Sequence, residues 1–417
     1  MFTSTWICVR ISGMDKVLRA HKIALDLNDK QRTYLAKCSG VSRFSYNWAL
    51  SEWKSMYEAW KEDKSLDKPN QLLLRRELNA IKHKQFPWML EVTKCAPQEA
   101  IIDLGKAFDR FFKGLSGYPV YKKKYINDSF RVSSGFFKIS GKTISLPHIG
   151  TLRMREELRY KNARTVSVTI SRRADRWYVS IVCEVSIHKS RPYFTEGKTV
   201  GIDAGVNAYV PSQGEPYGTQ HSYRKAERKL RRAQQSLSRK KKGSRNYEKQ
   251  RRKVAKVHAR IFDFRTDFLQ KMTTDIVSKA DTIVIEDLDV RGMLKNKHLS
   301  KSITDASFGE FRRQLAYKTD DAGKTLIIAD RYYPSSKLCS VCGAKTKRLT
   351  LGMREWVCEV CGALHDREVN AAVNLQKYAA SSAVSVRGEF FASAIPRLCE
   401  NMASYLCETE TKQQIAS

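Results

Sequence analysis

Cys339-Ser340-Val341-Cys342 is followed, after fifteen intervening residues, by Cys358-Glu359-Val360-Cys361. Two Cys-x-x-Cys pairs at this separation each form a tight knuckle that offers two thiolates, and the residues between them make a hairpin. The spacing predicts a tetrahedral Zn²⁺ site within residues 337–365. Gly343 and Gly362 follow the second cysteine of each pair, where a turn favours glycine. Two disulfides, or unrelated buried cysteines, are the competing arrangement, and the matched pairs count against it. Zinc held by four thiolates keeps no open coordination position, so this metal is structural and any chemistry lies elsewhere. Asp366, five residues past the last sulfur, is the first acid to consider.

A length of 417 residues suits two or three domains with a sizeable core. Lys and Arg number 76 against 43 acids, a net charge of +33, which points to a polyanionic partner. Nucleic acid is the default. A membrane surface is the rival polyanion, but no apolar run approaches the roughly eighteen residues of a spanning helix, and no signal peptide is visible. The chain therefore reads as cytosolic. Cys8, Cys38, Cys95, Cys183, Cys399 and Cys407 are scattered without framework spacing, as expected of reduced thiols.

Val17 to Leu27 reads as a strand, and Asn28 with Gln31 as a variant capping box opening a helical region. Aromatic and aliphatic residues (Phe44, Trp48, Trp53, Tyr57, Trp60) recur there at helical spacing, with breaks near Lys68-Pro69-Asn70 and Phe86-Pro87-Trp88. Pro97 reads as the opening of another helix, which ends at Gly114. These stripes suit a packed helical core better than direct base stacking. Tyr118 to Lys124 is basic and extended, and strand-like alternation follows through Phe137, Ile144 and Leu152 to a hairpin around Ala174-Asp175. A β-barrel or curved sheet is expected. Pairing with the strand at 17–27 would make residues 29–115 a helical insertion.

Lys198 to Gly205 reads as a buried strand delivering Asp203 into a glycine turn. From Ser222 to Arg260 there are seventeen Lys or Arg against two Glu, so this stretch supplies +15 of the net charge. Its sparse apolar positions suggest a helical hairpin broken at Gly243-Ser244, with a further helix carrying Ile261, Phe264, Phe268, Met272 and Ile276. A solvated face or a disordered arm is the plain alternative, but a helical stripe of one sign favours nucleic-acid contact. Thr282 to Glu286 and Thr325 to Asp330 are two more apolar strands ending in acids, Phe308 to Tyr317 reads as a helix, and Asp366 as the N-cap of a helix over Glu368 to Lys377.

Asp203, Glu286 and Asp366 could gather at one edge of an α/β sheet, where sites form. Clustered carboxylates repel and bind protons more tightly unless a cation sits among them. Mg²⁺ suits such an oxygen site, and two Mg²⁺ ions about 4 Å apart would support in-line phosphodiester cleavage. Asp287, Asp289 and Asp330 rank as caps or supporting residues.

These residues resemble the TnpB family of transposon-encoded RNA-guided DNA endonucleases, relatives of the compact type V CRISPR effectors. The resemblance rests on Gly201-Ile202-Asp203-Ala204-Gly205, Glu286-Asp287-Leu288 with Gly292-Met293, and Ser335-Ser336 before Cys339-Ser340-Val341-Cys342-Gly343. It continues through Arg354-Glu355-Trp356-Val357-Cys358, Cys361-Gly362 and His365-Asp366-Arg367-Glu368-Val369-Asn370-Ala371-Ala372. It covers about the last half of the chain, with a looser match before.

The resemblance implies an α+β multidomain chain: a β-barrel wedge domain with an inserted helical recognition domain, then an RNase H-like (RuvC) α/β nuclease domain with an inserted zinc ribbon. The expected boundaries are 1–28 and 116–196 for the wedge, 29–115 for recognition, 197–336 and 366–379 for the nuclease, 337–365 for the ribbon and 380–417 for a tail. It implies a catalytic triad of Asp203, Glu286 and Asp366 holding two Mg²⁺, and one structural Zn²⁺ on Cys339, Cys342, Cys358 and Cys361. The implied partners are a guide RNA from the transposon end and a double-stranded DNA target, read by base pairing next to a short adjacent motif. The expected setting is the cytoplasm or nucleoid of a prokaryote, without a membrane partner; the oligomeric state stays open, with a monomer as default.

Two departures stand out: Glu368 where the family more often has Asp, and Asp289 where Asn is usual. The rival readings are an RNA-guided DNA-binding regulator without cleavage, which should have lost triad acids, and a guide-free zinc-ribbon accessory protein of a transposon.

Overall fold

The computed structural model describes residues 14–188, 198–350 and 352–383. Residues 1–13, the expected boundary near 196, and the tail 380–417 past Ala383, with Cys399 and Cys407, lie outside the described residues. The described residues divide into two compact units, Lys16–Ile187 and, together with Met14 and Asp15, those from His188 onward.

In the first unit, β1 (Met14–Asp26) leads into α1 (Asp29–Glu62). Asn28 Oδ1 accepts the Gln31 N–H at 2.9 Å while Gln31 Oε1 accepts the Asn28 N–H at 3.1 Å, the reciprocal capping box. Asn70 caps α2 (Gln71–Gln85), accepting from Leu72 and Leu73. Helix α3 (Cys95–Phe112) starts two residues before Pro97, which therefore lies in the first turn, where its missing N–H costs nothing. The aromatic stripes are core: Trp53 stacks on Phe108 with ring centroids 4.2 Å apart, and Phe44 meets Phe86 edge-on.

The strands are β2 (Ser129–Ser133), β3 (Lys138–Ser140), β4 (Thr143–Leu146), β5 (Gly150–Met154), β6 (Arg164–Arg173) and β7 (Arg176–His188). With β1 they form one sheet in the order β2-β6-β7-β1-β5-β4-β3. The first strand thus lies between the two later groups, pairing Leu25 with Met154, and the helices stand between β1 and β2 in sequence. Among the described residues no pairing joins β2 to β3, so the sheet is open where a barrel was expected. The edge strand β3 is three residues long with exposed flanks, too short to carry the closing register a barrel needs. Helices and sheet share one core, with Leu35, Leu50, Ile101 and Leu104 joining Phe130, Val168, Val179 and Ile181.

The second unit contains β8 (Thr199–Ala204), β9 (Ala208–Pro211), β10 (Tyr217–Gly218), α4 (Ser222–Ser238) and α5 (Arg245–Lys279). It continues with β11 (Thr282–Glu286), α6 (Val290–Leu294), α7 (Ser300–Ala306), α8 (Phe308–Asp321) and β12 (Thr325–Ala329). The last elements are β13 (Glu355–Val357), β14 (Leu364–Asp366) and α9 (Arg367–Ala383). The main sheet runs β10-β9-β8-β11-β12, with β8, β11 and β12 parallel and β9 antiparallel to β8. The basic hairpin is present, but its second arm and the helix expected after it are one 35-residue helix, α5. No Gly or Pro interrupts that span, so nothing local stops propagation.

Helix α9 lies directly on β8. A Cβ on Gly201 would come within 2.1 Å of the Ala372 carbonyl oxygen and 2.4 Å of the Gln376 nitrogen. Only a residue without a side chain permits this approach, which explains the glycine two residues before Asp203. Overpacking against backbone costs about 1–3 kcal/mol or more. The Gly201→Ala protein should therefore melt at least about 2 °C lower, at about 2–4 °C per kcal/mol for a unit of this size. An unchanged midpoint by calorimetry would contradict the contact.

Candidate active site and metal centre

Among the described residues, Cys339, Cys342, Cys358 and Cys361 are the one group of Cys, His, Asp or Glu whose ligand atoms converge as a metal site would require, all four sulfurs lying within 4.8 Å of one another. Cys339–Cys361 and Cys342–Cys358 are each 3.6 Å apart. A disulfide would bring two sulfurs to about 2.05 Å, whereas tetrahedral zinc with bonds of about 2.3 Å sets sulfur–sulfur edges near ~3.8 Å. The spacing fits zinc and excludes the disulfide arrangement.

The two knuckles repeat one another. Gly343 N–H donates to Cys339 O and Gly362 N–H to Cys358 O, each at 2.9 Å, with φ of +76° and +71° at the glycines. That is the left-handed turn glycine adopts without strain. The backbone N–H groups of Cys361 and Val360 face the Cys358 sulfur and push its thiol down to about 6, while Cys361, despite the Ala363 N–H, is pushed up to about 12 by burial and the other three sulfurs. Behind the sulfurs, buried His365 lies with Nε2 3.0 Å from Cys339 Sγ and packs against Trp356, ring centroids 4.7 Å apart. The spacing suits a neutral imidazole donating to a thiolate, and burial lowers the His365 pKa in the same sense.

Trp356 and His365 face one another across the antiparallel pair β13–β14, and the next register step pairs Glu355 with Asp366. The ribbon hairpin therefore ends on the acid. Asp366 Oδ1 accepts the N–H groups of Glu368 and Val369, both at 2.9 Å, so it caps α9 as expected. Oδ2 is not used in those bonds.

Asp203 and Glu286 come from the parallel centre of the sheet. Ile202 pairs with Ile285, so the next residues on β8 and β11, Asp203 and Glu286, emerge side by side at the carboxyl ends of adjacent strands. Burial first, then the charges of Glu286, Glu368 and Asp366, raise the Asp203 carboxyl to about 7, opposed by Arg367. The three predicted acids are thus brought within electrostatic reach of one another, although their oxygens do not converge as the sulfurs do.

Glu368 is the member that the sequence reading passed over as a departure. It is held by an ion pair with Arg354 at the start of the ribbon hairpin. Its position two residues after Asp366, in the first turn of a predicted helix, was the available signal. The supporting acids have other work: Asp287 is bridged by Arg312 (2.5 Å) and Arg331 (2.7 Å), Asp289 caps α6 through Gly292, and Asp330 accepts the Tyr332 N–H at 2.8 Å.

The α4–α5 hairpin is held by Leu230, Val257 and Ile261. Sixteen of its seventeen Lys and Arg over 222–260 are exposed, and its two acids are each paired with a cation, Glu227 with Lys301 of α7 at 2.8 Å and Glu248 with Arg251 at 3.0 Å. The outer face is therefore of one sign, as a phosphate-binding surface requires. No helix among the described residues is long and apolar enough to cross a membrane.

Three family models match the chain: OrfB_IS605, described as "Probable transposase", over residues 180–297; the Cas12f1-like TNB domain over 308–375; and the helix-turn-helix domain of OrfB_IS605 over 14–62. In the structure, the residues of the last match are strand β1 and the single helix α1. The chain is 39% identical to a "Putative RNA-guided DNA endonuclease" of Streptomyces pristinaespiralis, covering 90% of this chain and 92% of the relative. It is 32% identical to the "Putative RNA-guided DNA endonuclease InsQ" of Escherichia coli, covering 91% and 96%. A solved Cas12f1–sgRNA–target DNA complex shares the fold, with a TM-score of 0.51 at 12% identity over 87% of this chain and 99% of that one.

Proposed function

The chain belongs to the TnpB (OrfB_IS605) family, and from that premise we propose that it is an RNA-guided DNA endonuclease whose cleavage depends on Mg²⁺ held by Asp203, Glu286 and Asp366. The observation that carries the reading is that Asp203, Glu286 and Asp366, from three separate stretches of chain, come within electrostatic reach of one another, with burial first and then the neighbouring carboxylates raising the proton affinity of Asp203. Such a cluster is unfavourable for folding alone and suits a hard cation with oxygen ligands. Two Mg²⁺ ions bound there would polarise the scissile phosphodiester and lower the pKa of an attacking water. The chain's own contribution is to hold the acids: the sheet aligns Asp203 beside Glu286, and the ribbon hairpin and the α9 cap orient Asp366.

In this reading the guide RNA derives from the transposon end, base pairing selects a double-stranded DNA target, and the exposed cations of α4 and α5 receive phosphates. Residues 16–187, with their open sheet and helices, serve as the wedge and recognition regions, residues from 198 to 383 as an RNase H-like nuclease with its zinc ribbon. The protein acts as a monomer in the prokaryotic cytoplasm or nucleoid. Retention of all three acids favours cleavage over the binding-only regulator.

The protein purified from its host should carry a discrete RNA, identified by sequencing the bound nucleic acid. Recovery of no defined RNA species would overturn the guided reading and leave the guide-free accessory protein.

A further inference from the structure

Ser335 is 4% exposed, and its Oγ donates to Glu286 Oε1 at 2.5 Å. The residue lies outside both zinc knuckles and the three acids. Its backbone is held as firmly as its hydroxyl. Asn374, also 4% exposed, donates from Nδ2 to the carbonyl oxygens of Ser335 and Leu338, both at 2.7 Å. One helical turn earlier, Asn370 Nδ2 donates to Leu338 O at 2.7 Å while its Oδ1 accepts the Ser340 N–H at 2.9 Å. Tyr333 OH donates to Asn374 O at 3.2 Å and closes the link.

Both asparagines are on α9, the helix that Asp366 caps, and Leu338 directly precedes the zinc ligand Cys339. One buried chain of hydrogen bonds therefore runs from the first knuckle through α9 to Ser335 and ends on Glu286. A serine hydroxyl donating to a carboxylate restricts its rotation and so fixes how its oxygens face a cation.

The structure assigns Ser335 as a positioning residue that holds Glu286 for the catalytic metal. The assignment rests on the endonuclease reading above. Loss of a hydrogen-bond partner behind a metal ligand typically weakens metal binding about 10- to 100-fold, and that is the effect expected here.

The test titrates Mn²⁺ into the full-length, zinc-loaded protein and follows free Mn²⁺ by electron paramagnetic resonance, counting as the site those ions lost in Asp203→Ala. Ser335→Ala should bind these ions about tenfold or more weakly. Its zinc content should match the wild type. With guide RNA and target DNA, the Mg²⁺ needed for half-maximal cleavage should rise by a similar factor while the rate at saturating Mg²⁺ stays close to wild type. Unchanged Mn²⁺ affinity, or a lower saturating rate at unchanged affinity, would overturn the Ser335 assignment alone. Absence of any Asp203-dependent Mn²⁺ site in the wild-type protein would overturn the endonuclease reading and this assignment together.

Discussion

The Asp203→Ala protein should bind guide RNA and target DNA within about twofold of the wild type and cleave at least about 10³-fold more slowly, since metal ligation supplies several kcal/mol of transition-state stabilisation and each 1.36 kcal/mol is a factor of ten. Target binding would be measured by filter retention and cleavage by gel under single-turnover conditions. The separation of the two effects follows from position. Asp203 stands at the end of β8 among other acids, whereas the cations expected to hold phosphates are on the outer face of α4 and α5. Cleavage at the wild-type rate would remove Asp203 from the triad.

The same residue makes the metal dependence sensitive to pH. Its carboxyl is raised to about 7, so below that pH a cation must displace a proton, and affinity should fall about tenfold per pH unit. The linkage to folding has the opposite sign. The folded state holds this proton more tightly than the unfolded chain, so the contribution of Asp203 to metal-free stability is fully present below about pH 4 and is lost as pH rises towards 7. In metal-free buffer at pH 8, Asp203→Asn should therefore melt higher than the wild type although it is inactive. A lower melting temperature for this isosteric change would contradict the electrostatic cost assigned to the acid cluster.

The two Cys-x-x-Cys pairs were legible because a ligand spacing is local: each knuckle is a few residues long and its glycine turn follows at once. Asp203 and Glu286 were legible as strand ends, since apolar runs terminating in an acid survive any choice of strand order. The Asn28–Gln31 cap was readable for the same reason of proximity. Ser335 on Glu286 was not, because the two residues are 49 apart and only the packing of β11 against the approach to the ribbon joins them. Glu368 looked like a departure from a pattern until its pairing with Arg354 connected it to the ribbon hairpin. Barrel closure failed as an expectation because strand alternation speaks for a sheet and leaves its edges undetermined.

Substituting Cys358 by serine should release zinc and unfold the ribbon, with consequences reaching Asp366. The hydrophobic cluster inside the ribbon is small: Cys339, Trp356 and Cys358, with Ala344 and Leu349 against them. So little apolar surface cannot order the hairpin by itself, whereas structural zinc contributes apparent free energies of about 10–16 kcal/mol to small domains of this kind. Zinc should fall well below one per chain by elemental analysis, and limited proteolysis should cut between Leu338 and Asp366. Cleavage should be lost as well, because Asp366 depends on its register with Glu355 and on the Arg367 N–H bond to Arg354 O at 2.7 Å. The pattern differs from that of Asp203→Ala, which keeps zinc and protease resistance while losing only catalysis. A Cys358→Ser protein with full zinc content and an intact ribbon would show that the four sulfurs do not share one ion.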